Sequence, residues 1–378
     1  MPASGLRLTV LAGATVPAPL PAALTARLRK VTVTESDTAR GAFTLELDAG
    51  RTGPLPDVPG TTGPLAPLRR VVVVLTFGAV PVVLCDGVVT ETALTPGDAP
   101  GVATLTVHGD DVSALLDREQ RGVEHPGLGD APQVLRVLAP YATRGVVPRV
   151  VPPPTIDLPL PVERVPTQHG TDLEHLVTLA ARHGYVTYPL PGPVPGISTF
   201  YWGPPVRAEL PQPALSVDLG PETNTGALTV RTEALTPVAV AGVVKDRRTG
   251  TTVPVATAVP LRLPLSAVPL TASAGARTVR LRDAPSTTTG ALGAAQAVTD
   301  AAADGVVAEG ELDGARYGGV LRARGLVGVR GAGWSNDGLW YVRQVTHTLA
   351  PGSYTAAFVL TRDGHGSTVP AVPVRSAG

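Results

Sequence analysis

Apolar and polar positions alternate with a period of two along much of the first hundred residues. In Phe43-Thr44-Leu45-Glu46-Leu47 this sets Phe43, Leu45 and Leu47 on one face and Thr44 and Glu46 on the other, the pattern of a strand with one core face and one wet face. Six segments, Val31–Thr34, Ala42–Leu47, Val71–Phe77, Val82–Leu84, Gly87–Thr90 and Ala103–Val107, are β-branched or alternating and are separated by Gly, Pro and Asp. They predict a small sandwich or barrel. Leu6–Val10 alternates in the same way and predicts an earlier strand. The apolar stretch Leu8–Leu24 resembles a signal peptide in composition, but Pro17, Pro19 and Pro21 interrupt it, and no signal peptide is expected.

The period changes to helical after Gly109. Val112, Leu115 and Leu116 have helical spacing, and Asp130-Ala131-Pro132-Gln133 predicts a helix start with Asp130 as N-cap and Val134, Leu135 and Leu138 on the inner side. Prolines 148, 152, 153, 154, 159 and 161 predict an extended connector. Thr171 and Glu174 then form a capping box, Leu173, Leu176, Val177 and Ala180 a buried stripe, and Gly184 a stop. Tyr185–Tyr188 and Thr199–Trp202 predict a strand pair joined by a Pro/Gly loop.

Strands resume with Leu215–Leu219, Ala227–Arg231 and Val238–Val244. Ser286–Ala303 predicts a helix with Leu292, Ala295 and Val298 inward, and Val306–Glu311, Val320–Val329, Leu339–Leu349 and Tyr354–Arg362 predict strands. Strands, a small α/β insert, then strands again make a mainly β protein with an α+β insert, without the βαβα alternation of a doubly wound sheet.

Composition narrows the function classes. The 378 residues hold 31 basic and 31 acidic side chains, so the chain is neutral and has no cationic footprint for nucleic acid, whose binding rests on Lys and Arg displacing counterions. A hydrophobic fraction of 43% against 16% charged residues is that of a chain that folds. The length predicts two to three domains, and 42 Gly with 40 Pro fit many short strands and turns. A single cysteine, Cys85, excludes an internal disulfide framework and a Cys-rich zinc module. The longest aliphatic run, Val71–Leu75, is far short of the ~20 residues of a membrane helix, so no membrane insertion is expected.

Candidate chemistry is thin. The tightest histidine group is His169, His175 and His183 with Asp172; His175 and His183 diverge by about 80° on a helical wheel, and solvent-facing histidines explain them better than a metal site. Ser335 lies in the turn-forming run Gly333–Gly338, and Cys85 sits in a strand as a buried thiol. Asp110, Asp111, Glu35 and Asp37 fall at turns or helix starts, where carboxylates cap amides. The stretch Gly310–Gly319 lacks the Lys of a phosphate-binding loop. No catalytic, cofactor-binding or metal-binding residue is assigned. Trp202, Trp334 and Trp340 leave a secreted carbohydrate-binding β protein as an alternative, and a hydrolase with a dispersed site, built on Cys85 or Ser335, as another.

Several stretches resemble the tail-hub family of contractile injection machines, the phage late control gene D proteins. They are Val31–Phe43, Leu84-Cys85-Asp86-Gly87-Val88-Val89-Thr90, Leu105–Asp117 with its Gly109-Asp110-Asp111, and Gln168–Tyr185 with Thr171-Asp172-Leu173-Glu174 and His183-Gly184-Tyr185. Tyr201–Pro205, Tyr341–His347 and Tyr354–Arg362 follow in the family order, with His175 where the family usually carries an aromatic. The resemblance covers about residues 1–365 and implies two similar β-barrels flanking a small α/β domain, assembling as a trimeric ring. The implied boundaries are 1–109 for the first barrel, 110–214 for the insert, 215–365 for the second barrel with a helical insertion near 286–304, and 366–378 for a C-terminal tail.

The resemblance also implies a non-enzymatic homotrimer, without cofactors, that adapts a sixfold inner tube to a threefold spike. Its implied partners are the spike protein, the inner tube or tube-initiator protein and baseplate wedge proteins, in a particle assembled in the cytoplasm. With no repeat after Arg362, the spike is expected to be a separate polypeptide. The Pro/Gly-rich loops at 50–67, 189–197 and 203–213 are the expected contacts to spike and wedge.

Overall fold

A computed structural model describes residues 6–14, 16–50, 63–98, 102–154, 165–246, 249–273, 276–281 and 288–368. Part of the loop 50–67, part of the proline connector and most of the tail therefore lie outside the described residues.

The N-terminal part comprises β1 (Leu6–Gly13), β2 (Ala18–Pro19), the short helix α1 (Ala22–Thr25), β3 (Leu28–Ser36), β4 (Ala42–Ala49), β5 (Arg70–Phe77), β6 (Val80–Pro96) and β7 (Ala103–Asp111). The alternation predicted for β4 holds: Phe43, Leu45 and Leu47 are buried with Val10, Val31, Val33, Val71, Leu75 and Leu105 in one core. Val82–Leu84 and Gly87–Thr90, expected as two strands, are parts of the single 17-residue strand β6. Gly87 there serves packing. A Cβ on Gly87 would stand 2.9 Å from Phe43 Cε1 and 2.3 Å from the Asp110 carbonyl oxygen, and one on Gly109 in β7 would stand 2.2 Å from Phe43 Cζ.

The middle part follows a 3-10 turn at Val112–Asp117 and holds β8 (Gln120–Glu124), α2 (Asp130–Leu138), β9 (Val146–Val150), β10 (Thr167–Thr171), α3 (Asp172–Arg182), β11 (Val186–Pro191) and β12 (Ser198–Gly203). β8 pairs with β10, and β12 pairs with β11 antiparallel and with β9 parallel. The capping box forms as predicted, with Glu174 N–H donating to Thr171 Oγ1 and Thr171 N–H donating to Glu174 Oε2. The buried faces are shifted from the predicted ones. α3 buries Asp172, His175, Leu176, Leu179 and Ala180 while Val177 is exposed, and α2 buries Val134, Val137 and Leu138 while Leu135 is exposed. Asp130 is the first helical residue and Gly129 the N-cap.

The C-terminal part comprises β13 (Gln212–Ser216), β14 (Thr229–Thr232), β15 (Val238–Lys245), β16 (Thr252–Thr257), β17 (Ser266–Pro269), α4 (Leu270–Ser273), β18 (Arg277–Arg280), α5 (Thr288–Ala301), β19 (Val306–Asp313), α6 (Gly314–Tyr317), β20 (Leu326–Arg330), β21 (Gly338–Ala350), β22 (Ser353–Arg362) and β23 (Gly364–Ser367). Strands β16, β15 and β18 form a separate sheet under α5, so the helical insertion belongs to a longer excursion from the main sheet. On α5 the inward residues are Ala291 and Ala295; Leu292 and Val298 are exposed.

The chain is mainly β with an α+β insert, as expected, and among the described residues the two expected β-barrels do not close: they are two lobes of one sheet of 13 strands, ordered β14-β19-β22-β21-β3-β4-β7-β6-β5-β1-β2, with β20 and β13 branching from β21. One reason lies in the edge next to β1. Only Leu11 and Ala12 find ladder partners in β2, because Pro17, Pro19 and Pro21 have no N–H to continue the pairing. β21 joins the lobes: its first residues pair with β20 and its later ones, Gln344–Leu349, with β3, the exchange occurring beside a register shift at Val342/Gln344.

Candidate functional site

The lobes and the middle part meet at a seam of arginines, buried except for the half-buried Arg322. Arg324, ahead of β20, donates from Nε and Nη2 to the Ser36 carbonyl at 2.9 and 2.6 Å, and from Nη1 to the Pro189 carbonyl at 3.2 Å. Its guanidinium lies over the Tyr188 ring, 4.1 Å from the centroid, and the backbone N–H of Arg324 donates to the Val342 carbonyl at 2.7 Å. One side chain thus reaches the first lobe and the middle part from a backbone anchored in the second lobe. Arg322 adds an ion pair to Glu35 and donates to the carbonyls of Val83 and Leu84, while Ala323 N–H donates to Glu35 Oε2.

Burial alone would push the Glu35 carboxyl up; Arg322, His347 and Arg324 hold it below its ordinary value. Arg70 grips Asp86 with two bonds of 2.6 and 2.7 Å and donates to the Arg144 carbonyl at 2.6 Å, and Ser198 donates to Asp86 at 2.9 Å. These contacts tie the first lobe to the middle part. Arg207 pairs with Asp304 and lies over the Tyr341 ring.

The residues weighed for chemistry fall elsewhere. His175 is buried and stacks on His125, which corrects the expectation of solvent-facing histidines; His183 is half-buried with Nε2 2.8 Å from Asp130, and His169 is exposed. Among the described residues no group of three His, Cys, Asp or Glu could hold a metal ion. Cys85 is buried, and burial, then Asp86, Asp111 and Glu35, push its thiol well up, away from the nucleophilic thiolate. Ser335 lies in the turn between the paired strands β20 and β21, where its carbonyl accepts from Arg362 and from Gly366 N–H. Asp111 caps the 3-10 turn as expected and also accepts from Gly41 N–H at 2.8 Å. Glu35 instead lies within β3 at the seam. Trp202 and Trp340 are fully buried in different cores and only Trp334 is exposed, so the three form no common stacking surface.

The arrangement is a brace. It fixes three parts of the chain relative to each other. The arginines that form it were not singled out by sequence; the one local signal was Arg322 and Arg324 interrupting an otherwise strand-like apolar run from Val320 to Val329.

Comparison with solved structures places this architecture. A tail protein from Neisseria meningitidis superposes with a TM-score of 0.62 at 13% identity, covering 95% of this chain and 97% of its own. The chain has the fold of a phage tail protein. The 43 kDa tail protein of prophage MuSo2 from Shewanella oneidensis also gives 0.62, at 15% identity over 95% of this chain and 99% of that one. An E. coli component of the type VI secretion system, described as similar to T4 tail proteins, gives 0.55 at 11% identity over 92% and 77%. No family model matches the sequence, and no curated protein matches it. The tail-protein fold accounts for the β-rich flanks and intervening helices, and at these identities the likeness is one of fold.

Proposed function

We propose that this chain is a structural hub of a contractile, phage tail-like injection particle, forming a homotrimer that adapts a sixfold inner tube to a threefold spike. The observation that carries the reading is the single sheet shared by two β lobes and locked by Arg322 and Arg324. Each copy is a stiff two-lobed unit, so three copies present six lobes on one side and threefold symmetry on the other. A closed ring of heterologous contacts suits a neutral chain, whose copies carry no net field driving them apart.

Spike, inner tube and baseplate wedge are the proposed partners, and the particle is proposed to assemble in the cytoplasm. Loop 203–213 presents Leu210 at 93% exposure and loop 189–197 presents Val194, apolar tips that fit contacts with them. The role is proposed as structural, since Arg70, Asp86, Glu35, Arg322 and Arg324 are spent on internal bracing.

Light scattering of the purified chain, followed by negative-stain imaging, tests the proposal. Threefold rings with six peripheral lobes are the expected result. A strictly monomeric chain at micromolar concentration that also fails to co-purify with tail components would overturn it.

A further inference from the structure

A cleft of about 290 Å³ opens in the middle part of the chain, where two 3-10 turns, Val112–Asp117 and Ala139–Arg144, come to their ends. Leu115 and Pro140 supply an apolar wall, and Arg118, Arg121 and Arg144 bring three guanidiniums against one lining carboxylate, Glu119. Arg118 and Arg144 are exposed, and neither side chain has a hydrogen bond or ion pair among the described residues. Of Arg144 only the backbone carbonyl takes part in the seam, as an acceptor from Arg70.

The acids around the cleft are committed to other groups. Glu119 pairs with Arg121 at 3.2 Å, and Arg121 also faces the buried Asp172 at 3.4 Å. Asp172 accepts from the Tyr141 hydroxyl and from Gln168, both at 2.7 Å, and Asp117 accepts from Arg40 and from the Thr171 hydroxyl. Arg121 is thus matched within the fold, whereas Arg118 and Arg144 leave two positive charges unmatched. The other donors are spent or turned away. Thr143 Oγ1 donates to the Pro140 carbonyl at 3.1 Å, Arg118 follows the end of one turn and Arg144 ends the other, and helix ends of this polarity present carbonyls instead of N–H groups. What remains for an anion is two guanidinium forks, each shaped to take one carboxylate through two parallel bonds.

We infer that this cleft docks an acidic segment of a partner protein carrying two carboxylates and an aliphatic side chain within a few residues. Two unmatched forks on separate turns call for two carboxylates, and the wall of Leu115 and Pro140 takes the aliphatic group. A lone phosphate is held best by convergent backbone N–H groups, as at a helix N-terminus, and the ends that meet here are the opposite ones. The inference does not depend on the hub proposal.

The test is fluorescence anisotropy at low ionic strength, where exposed charges are least screened, with the full chain and a labelled peptide of sequence Gly-Glu-Leu-Asp-Gly blocked at both ends. Its neutral counterpart Gly-Gln-Leu-Asn-Gly and inorganic phosphate, as a competitor, are the comparisons. The acidic peptide is expected to bind saturably and the neutral one at least tenfold more weakly. Arg118→Gln and Arg144→Gln are each expected to cost at least threefold and the double variant at least tenfold, with unchanged thermal unfolding because both side chains are exposed. Arg136→Gln, at an exposed arginine of α2 that does not line the cleft, should leave the affinity as it is. No saturable binding at millimolar concentration, equal binding of the neutral peptide, or full affinity in the double variant would each overturn the inference. So would an equal loss in Arg136→Gln, which would make the attraction one of diffuse charge, or phosphate binding more tightly than the peptide.

Discussion

The imidazole rings of His125 and His175 are stacked, with centroids 5.4 Å apart and planes 10° from parallel. Both are buried, and both nitrogens of His125 and Nε2 of His175 lack hydrogen-bond partners among the described residues. The pair holds the segment after β8 against α3, in the middle part of the chain.

This pair sets a pH dependence. Burial lowers the His125 value, and burial, then His125 itself, lower that of His175 to about 4. His347, buried beside Tyr354, is likewise lowered by burial to about 4. The unfolded chain binds these protons more readily than the native one, so stability is fully present above about pH 6.5 and falls as the pH drops toward 4. The loss is at most ~1.4 kcal/mol per histidine per pH unit. Denaturant titrations between pH 7 and 4 check this, and His175→Leu should flatten the curve.

Gly109 lies under the ring of Phe43. A Cβ there would meet Phe43 Cζ at 2.2 Å and the Val88 carbonyl oxygen at 2.5 Å. Gly109→Ala is expected to destabilise by about 1–3 kcal/mol, the usual range for overpacking. Adding Phe43→Leu should restore only part, since the carbonyl remains. Guanidinium unfolding midpoints of the two variants and the parent chain decide the matter.

Glu35 and Arg322 join the two lobes, and removing Arg322 leaves the Glu35 carboxylate buried without its ion-pair partner. Arg322→Met is therefore expected to cost about 3–5 kcal/mol, and the double change Glu35→Leu with Arg322→Met less than the sum of the single ones. A double-mutant cycle measures the coupling. An additive cycle would mean that the pair does not brace the lobes.

Trp202 is fully buried and donates from Nε1 to the Leu176 carbonyl at 3.2 Å, whereas Trp334 is 65% exposed. Trp202→Ala should cost about 3–5 kcal/mol, and Trp334→Ala less than about 1 kcal/mol. Thermal unfolding of both distinguishes this from a sugar platform, in which both tryptophans would face ligand.

Cys85 should resist thiol reagents in the folded protein and react at once in denaturant, because burial keeps its thiol both inaccessible and protonated. Timed labelling by an aromatic disulfide reagent, with and without guanidinium, reads this directly.

Sequence by itself determined what depends on neighbours a few residues away. The alternation at Phe43–Leu47, the Thr171/Glu174 box and the turn at Gly333–Gly338 are local, since strand period, helix cap and turn chemistry are each set within one short segment. The family resemblance extended this to the fold. The joining of strands into one open sheet, the single β6 strand and the arginine seam were decided by tertiary structure. Gly87 reads in sequence only as the start of a strand, and it is the fold that brings Phe43, from another strand, over it. Asp172 and His175 count as polar on a helical wheel, yet they are buried, because Gln168, Tyr141 and Arg121 meet Asp172 and His125 covers His175. Arg322 finds Glu35 across 287 residues of chain, a pairing that periodicity within either segment does not encode.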